Sequence, residues 1–178
     1  MIPGHVFWFF GLSGAGKTTL ATGLGESLRE ERRSILMLDG DTLRPGVCRD
    51  LGFSDEDRAE NVRRAAELAK LAMLQGHVVI AAFITPRESL RRLVSEIIGR
   101  DKVAMIWVDT PLAVCRQRDP KGLYQRSAAG SLPLLTGVGS AFEESTAFDL
   151  RVETHRHSLP ELSARLREYG RARLGEKA

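Results

Sequence analysis

The sequence predicts an α/β fold in three layers, α/β/α, with a mainly parallel five-stranded sheet and a lid segment over one sheet edge. Three observations lead there. Short β-rich apolar runs alternate with stretches of helical period, the order of a parallel sheet wrapped by helices. Those runs are continuously apolar, as strands covered on both faces are. The first run also enters a glycine-rich turn that opens directly into the first helix.

The strands read as His5–Phe10, Ser34–Asp39, His77–Phe83, Val103–Asp109 and Leu150–Glu153. Between them, helical period covers Lys17–Glu31, Asp57–Leu74, Arg87–Ile98 and Leu159–Leu174. From about Arg116 to Glu144 the rhythm gives way to a stretch rich in Gly, Ser and Arg without a strong strand, expected to be an irregular lid. Gly175–Ala178 is expected to fray. A length of 178 residues suits one domain spanning 1–178 with a sizeable core.

Composition narrows the class. Apolar residues at 43% and charged residues at 28% are ordinary for a globular protein, which excludes a disordered chain. No apolar run approaches the length needed to cross a bilayer, so no membrane partner is expected. The opening MIPGHVFWFFG lacks a basic leader and runs into the glycine turn, so it is not read as a signal peptide and the chain is expected in the cytoplasm. Cys48 and Cys115 make no disulfide framework, and no Cys/His cluster has zinc-ligand spacing. The net charge of +3 is small, with Lys and Arg interleaved with Asp and Glu. That pattern reads as a solvated surface with some anion-binding arginines, and no nucleic-acid recognition motif accompanies it.

The strongest local signal is Gly11-Leu-Ser13-Gly14-Ala15-Gly16-Lys17-Thr18, followed by Thr19, which fits G-x-x-x-x-G-K-[ST] at every position. Glycines let the backbone turn tightly and aim amides at phosphate oxygens, and the following helix adds its positive end. Lys17 can bridge β- and γ-phosphates, and Thr18 can offer its hydroxyl to Mg²⁺. The loop therefore predicts a bound nucleoside triphosphate, with ATP and Mg²⁺ as cofactors. The absence of an NKxD segment argues against a GTPase, and the short chain with a large basic lid favours a kinase.

On the acceptor side the second strand ends in Leu38-Asp39-Gly40-Asp41, with Arg44 three residues further on. Parallel strands deliver both carboxylates beside the P-loop, where one can hold Mg²⁺-bound water or orient an attacking hydroxyl. Asp39 reads equally as a turn or helix cap, whereas Asp41 is favoured for chemistry and as a metal ligand beside Thr18. Asp109 reads at least as well as a helix cap. Further on, Ser54 followed by Asp57 marks a helix start, and Arg58 and Asn61 share one helical face. Behind Phe53, these two suit an anionic ligand carrying an aromatic base.

The motifs GLSGAGKTT, LDGDTLR, DLGFSDEDRAENVRR, FITP, VDTPLAVCRQRDPKGLY and LTGV, in this order and spacing, resemble the adenylylsulfate (APS) kinases from about Phe7 to Glu153. The resemblance implies a P-loop kinase fold and transfer of phosphate from MgATP to the 3′-hydroxyl of adenylylsulfate, giving PAPS. It also implies that Gly14, Gly16, Lys17 and Thr18 hold ATP and Mg²⁺, and that Asp41 orients the 3′-hydroxyl. Arg44, Arg58 and Asn61 would grip the acceptor, Phe53 would stack on its adenine, and Ile84 and Thr85 would contact it. Lys121 and Leu123 would close over the acceptor, while Arg116 and Arg118 in the lid read equally as ATP contacts or as solvated side chains. Dimerisation is common in the family.

Departures from the family pattern cluster on the acceptor and lid side. Leu135 stands where an aromatic usually completes a sandwich around adenine and is expected to pack on the acceptor base in its place, Thr85-Pro86 replaces Ser-Pro, and the basic run after Tyr124 is softened to Gln125-Arg-Ser-Ala128. The positions near Pro-Tyr-Glu become Gly139-Ser-Ala-Phe142-Glu143. Leu135 keeps open a second reading, a related kinase acting on a changed acceptor such as cytidine diphosphoramidate. A third, a non-catalytic nucleotide-binding subunit, has against it the presence of Lys17, Thr18 and Asp41.

Overall fold

The computed structural model describes residues 4–132 and 134–175, so residues 176–178 of the expected frayed end lie outside the described residues. Five strands form one sheet: β1 (His5–Phe10), β2 (Ile35–Asp39), β3 (Val78–Ala82), β4 (Val103–Val108) and β5 (Leu150–Val152). Their order is β2-β3-β1-β4-β5 and every pairing is parallel. In β1 the pleat sends Val6, Trp8 and Phe10 to one face and Phe7 and Phe9 to the other, all fully buried.

The first face packs on α3 (Asp55–Leu74) and α4 (Glu88–Ile98) through Val62, Ala65, Ala69, Val94 and Ile98. The second packs on α1 (Lys17–Glu30) and α7 (Leu159–Arg173) through Leu20, Leu24, Leu28, Leu162 and Leu166. Burying one such side chain stabilises by roughly 1.5–3 kcal/mol, so both faces of β1 carry core. The expectation of strands covered on both faces holds for β1, β3 and β4 and fails for the edge strands β2 and β5, where Arg151 is exposed. Strand β2 lies at the sheet edge, and its Leu36 is exposed.

The lid also differs from expectation. A short helix α2 (Gly40–Leu43) follows β2, and the stretch expected to be irregular contains the end of α5 (Leu112–Arg118) and all of α6 (Leu123–Ala128). These helices have seven and six residues, too short to display an amphipathic period in sequence. The rest of the lid is held by turns, among them three amides (Val138, Gly139 and Ser140) converging on the Leu135 carbonyl.

Candidate active site

Because all strands are parallel, their C-terminal ends share one edge, where a cavity of about 590 Å³ opens. Five basic side chains (Lys17, Arg44, Arg58, Arg118 and Lys121) line it against two carboxylates, Asp39 and Asp41. An anion is the ligand such a wall favours.

The P-loop forms one end. Gly16 caps α1 in a left-handed conformation at φ 103°, and Gly14 sits at φ 74°, conformations that strain any side-chain-bearing residue. Ser13, Gly14, Gly16, Lys17, Thr18 and Thr19 line the cavity. Gly11 and Ala15, expected with the rest of the loop at the nucleotide, lie behind that lining. Their amides donate to Ile84 O (3.2 Å) and Leu12 O (3.2 Å), so these residues shape the turn from behind. The Lys17 ammonium donates to Leu12 O at 2.7 Å. Burial, followed by the like charge of Lys121, pushes its pKa down to about 8.

The two carboxylates divide. Asp39 ends β2 and caps α2: its Oδ1 accepts from the Asp41 amide at 2.9 Å, and its Oδ2 accepts from the Thr18 hydroxyl at 2.8 Å. Asp41, in the first turn of α2, is ion-paired with Lys121 of the lid. The residue that meets Thr18 is therefore Asp39 rather than Asp41.

Helix α3 supplies the opposite wall. Arg58 Nε donates to Phe53 O (3.0 Å), Nη1 to the Thr136 hydroxyl (2.9 Å) and Nη2 to Leu134 O (2.6 Å), joining α3 to the lid. Asn61, one turn on, is buried and lines the cavity, and its Nδ2 has no hydrogen-bond partner among the described residues. A buried amide donor left without a partner is costly unless a ligand satisfies it. Ile84 and Thr85 line the floor at the end of β3. The Thr85 hydroxyl accepts from Trp8 Nε1 (2.9 Å), which fixes its side chain against β1. Thr85 also holds φ 41°, a strained value for a β-branched residue, while Arg91 donates to its carbonyl.

Lys121, Leu123 and Arg118 line the lid side of the cavity. Three of the expected site residues lie outside the cavity lining. Arg116 is exposed and outside the lining, because residues two apart on a helix face different ways and Arg118 takes the inward position. Phe53 is exposed and outside the lining, with the Arg44 guanidinium 4.1 Å over its ring. Leu135 is buried in the core that contains Phe9 and Tyr124, packed as an anchor rather than presented as a stacking surface.

Sequence reasoning missed Thr154 and His157, which follow β5 and complete the cavity wall. The strand-edge rule that selected Asp39 would have found Thr154, had it been applied to the last strand. The buried Arg91, which also donates to Glu143 O at 2.9 Å, carried no local signal.

The family model described as adenylylsulphate kinase matches residues 3–153. The chain belongs to the adenylylsulfate kinase family. An adenylyl-sulfate kinase of Klebsiella pneumoniae subsp. pneumoniae is 48% identical over 150 residues, which cover 84% of this chain and 75% of that relative. Among solved members, the Mycobacterium tuberculosis APS kinase CysC in complex with AMPPNP and APS superposes with a TM-score of 0.90 at 36% identity, covering 99% of this chain and 100% of that one. A hexameric APS kinase from Thiobacillus denitrificans matches with a TM-score of 0.73 at 26% identity, over 98% of this chain and 30% of the other. The adenylylsulfate kinase fold thus extends over nearly the whole of this chain.

Proposed function

We propose that this protein is an adenylylsulfate kinase, transferring the γ-phosphoryl group of ATP to the 3′-hydroxyl of adenylylsulfate to give 3′-phosphoadenylylsulfate and ADP. The observation that carries the reading is one cavity with a phosphate cradle at one end and, on the opposite wall, the Asn61 amide, which lacks a hydrogen-bond partner among the described residues. The two ends suit a donor nucleotide and a polar acceptor, and the strand-end carboxylates lie between them. Family membership and the AMPPNP- and APS-bound relative support ATP and adenylylsulfate as the pair.

In this reading the amides of Gly14, Gly16, Lys17 and Thr18 face the phosphates, with Lys17 leaving Leu12 O to reach the β/γ oxygens. Arg118, held along the wall by Thr154, faces the nucleotide. Asp41 releases Lys121 and accepts the hydrogen bond of the 3′-hydroxyl, whose oxygen forms the new P–O bond as the bond to ADP breaks. Its proton passes to Asp41 and then to solvent. Arg44, Arg58 and Asn61 hold the acceptor, with Lys121 and Leu123 closing over it.

The Thr18 hydroxyl and Asp39 carboxylate, 2.8 Å apart, are hard oxygen donors that fit Mg²⁺, which takes one or two protein oxygens along with substrate phosphates and water. When bound, the ion neutralises charge developing on the phosphate oxygens. Asp41 is thereby left for the acceptor.

A deoxy-acceptor experiment tests the site of transfer. Adenylylsulfate lacking the 3′-hydroxyl should give no ADP above background, and the 2′-deoxy analogue should still turn over. Equal turnover of both would overturn the reading. The buried position of Leu135 favours one alternative, a kinase whose acceptor carries a base other than adenine, such as cytidine diphosphoramidate.

A further inference from the structure

Around the P-loop, three hydroxyl groups from distant parts of the chain meet its carbonyls, Tyr124 and Thr110 from the interior and Thr154 from the cavity wall. The Tyr124 hydroxyl donates to Ser13 O at 2.9 Å. The Thr154 and Thr110 hydroxyls both contact Ala15 O, at 2.8 and 3.2 Å, and lie 2.8 Å from each other. Tyr124 and Thr110 are buried, and Arg118 Nη1 donates to the Thr154 hydroxyl at 2.7 Å. Tyr124 stands on α6 of the lid, Thr110 follows β4 and Thr154 follows β5.

The choice of carbonyls matters. In a planar trans peptide the C=O and the next N–H point in opposite directions. Anchoring Ser13 O and Ala15 O by these hydroxyls therefore turns the amides of Gly14 and Gly16 the opposite way. Gly14 and Gly16 are the loop residues at φ 74° and 103°, where the freedom of glycine leaves the peptide planes otherwise poorly determined. Fixed amide dipoles need no reorganisation when charge arrives, and such preorganisation is a main source of phosphate-site strength.

We infer that Tyr124, Thr110 and Thr154 are positioning residues that set the phosphate-facing amides of the cradle, and that Tyr124 couples this setting to the lid. The inference rests on the nucleotide reading of the loop. It gives Thr154 a double task, since the same hydroxyl that meets the loop carbonyl accepts from Arg118. It also gives the lid a second grip on the donor site beside Arg118, whereas Lys121 with Asp41 faces the acceptor.

The test compares full-length wild type with Tyr124→Phe, Thr154→Val and Thr154→Ser, measuring ADP affinity by calorimetry, ATP and acceptor KM, and thermal unfolding. Loss of one oriented hydrogen bond corresponds to about a fivefold effect. Tyr124→Phe and Thr154→Val should each weaken ADP binding and raise ATP KM by that factor. The acceptor KM should stay unchanged, and Thr154→Ser should restore binding. Unchanged ADP affinity with a lowered unfolding temperature would overturn the inference and leave these hydroxyls as packing. An equal rise in both KM values would overturn it as well. Wild type that fails to bind ADP would sink the nucleotide reading itself, and with it this inference.

Discussion

The donor and acceptor ends of the cavity are built by different means. At the donor end the P-loop is held by backbone, by buried hydroxyls and by the fully packed β1 beneath it. At the acceptor end the wall is held by long charged side chains at the surface. Arg64 donates to Asp50 and to Val47 O, Arg44 to Gly52 O, and Lys121 pairs with Asp41. Exposed ion pairs of this kind contribute little, because solvent and salt screen them. The donor end is therefore preset, while the surface segments around the core-packed α3 at the acceptor end can rearrange around a ligand at little cost. Phosphoryl transfer suits this division, because the donor phosphates must be fixed in line while the acceptor enters and leaves.

Breaking the preset end should cost most. Lys17→Ala should lower kcat by roughly 10²–10³-fold, the scale of losing one preorganised charge-stabilising donor, with an unchanged far-ultraviolet spectrum. Near-normal turnover would remove Lys17 from the mechanism. Asp41→Asn should come next, lowering kcat by about 10²-fold while ATP affinity moves much less. A matching loss of ATP affinity would instead place Asp41 at the donor end.

A smaller effect should be confined to the acceptor. Asn61→Ala should raise the acceptor KM by roughly tenfold and leave the ATP KM alone, in line with a lost buried hydrogen bond. A shift in ATP KM of the same size would erase the distinction between the two ends.

The pKa of Lys17 gives a test of sign. Bound phosphates favour the ammonium form, so nucleotide affinity should weaken as pH rises through about 8. Stability should move the other way. The folded pKa lies below its ordinary value of 10.5, so the folded state binds fewer protons between the two values, and this group's contribution to stability rises with pH across that window. Isothermal titration with ADP between pH 7 and 9.5 reads the first effect, and Lys17→Arg should flatten it. A slope unaltered by the substitution would assign the titration elsewhere.

The smallest expected effect concerns Leu135. Since it is buried, Leu135→Phe should overpack the core and destabilise by about 1–3 kcal/mol without changing the acceptor KM. A lower acceptor KM would show that the position does reach the acceptor base.

The same contrast explains how much could be read in advance. Strand β1, the P-loop and α1 were legible because glycine geometry, a continuous apolar run and a helix start lie side by side in the chain. Asp39 and Asp41 were placed beside the cradle by the strand-edge rule, yet their division of labour was not. It depends on Asp39 meeting Thr18 and Asp41 meeting Lys121, contacts across 21 and 80 residues. Arg58 and Asn61 were paired correctly by helical spacing, and both line the cavity. The surroundings of Phe53 and Leu135 were not legible, because the Arg44 guanidinium over the Phe53 ring and the core around Leu135 are set by the folded chain. Helices α5 and α6 were too short to show a period.

The central claim, ATP-dependent phosphorylation of adenylylsulfate in this cavity, is tested most directly by ADP release with MgATP over a panel of adenylylsulfate, cytidine diphosphoramidate and simple sugars, with products identified by mass. The account predicts saturable turnover with adenylylsulfate and a product heavier by one phosphoryl group. Turnover with another acceptor alone, or none with any while ATP still binds, would contradict it.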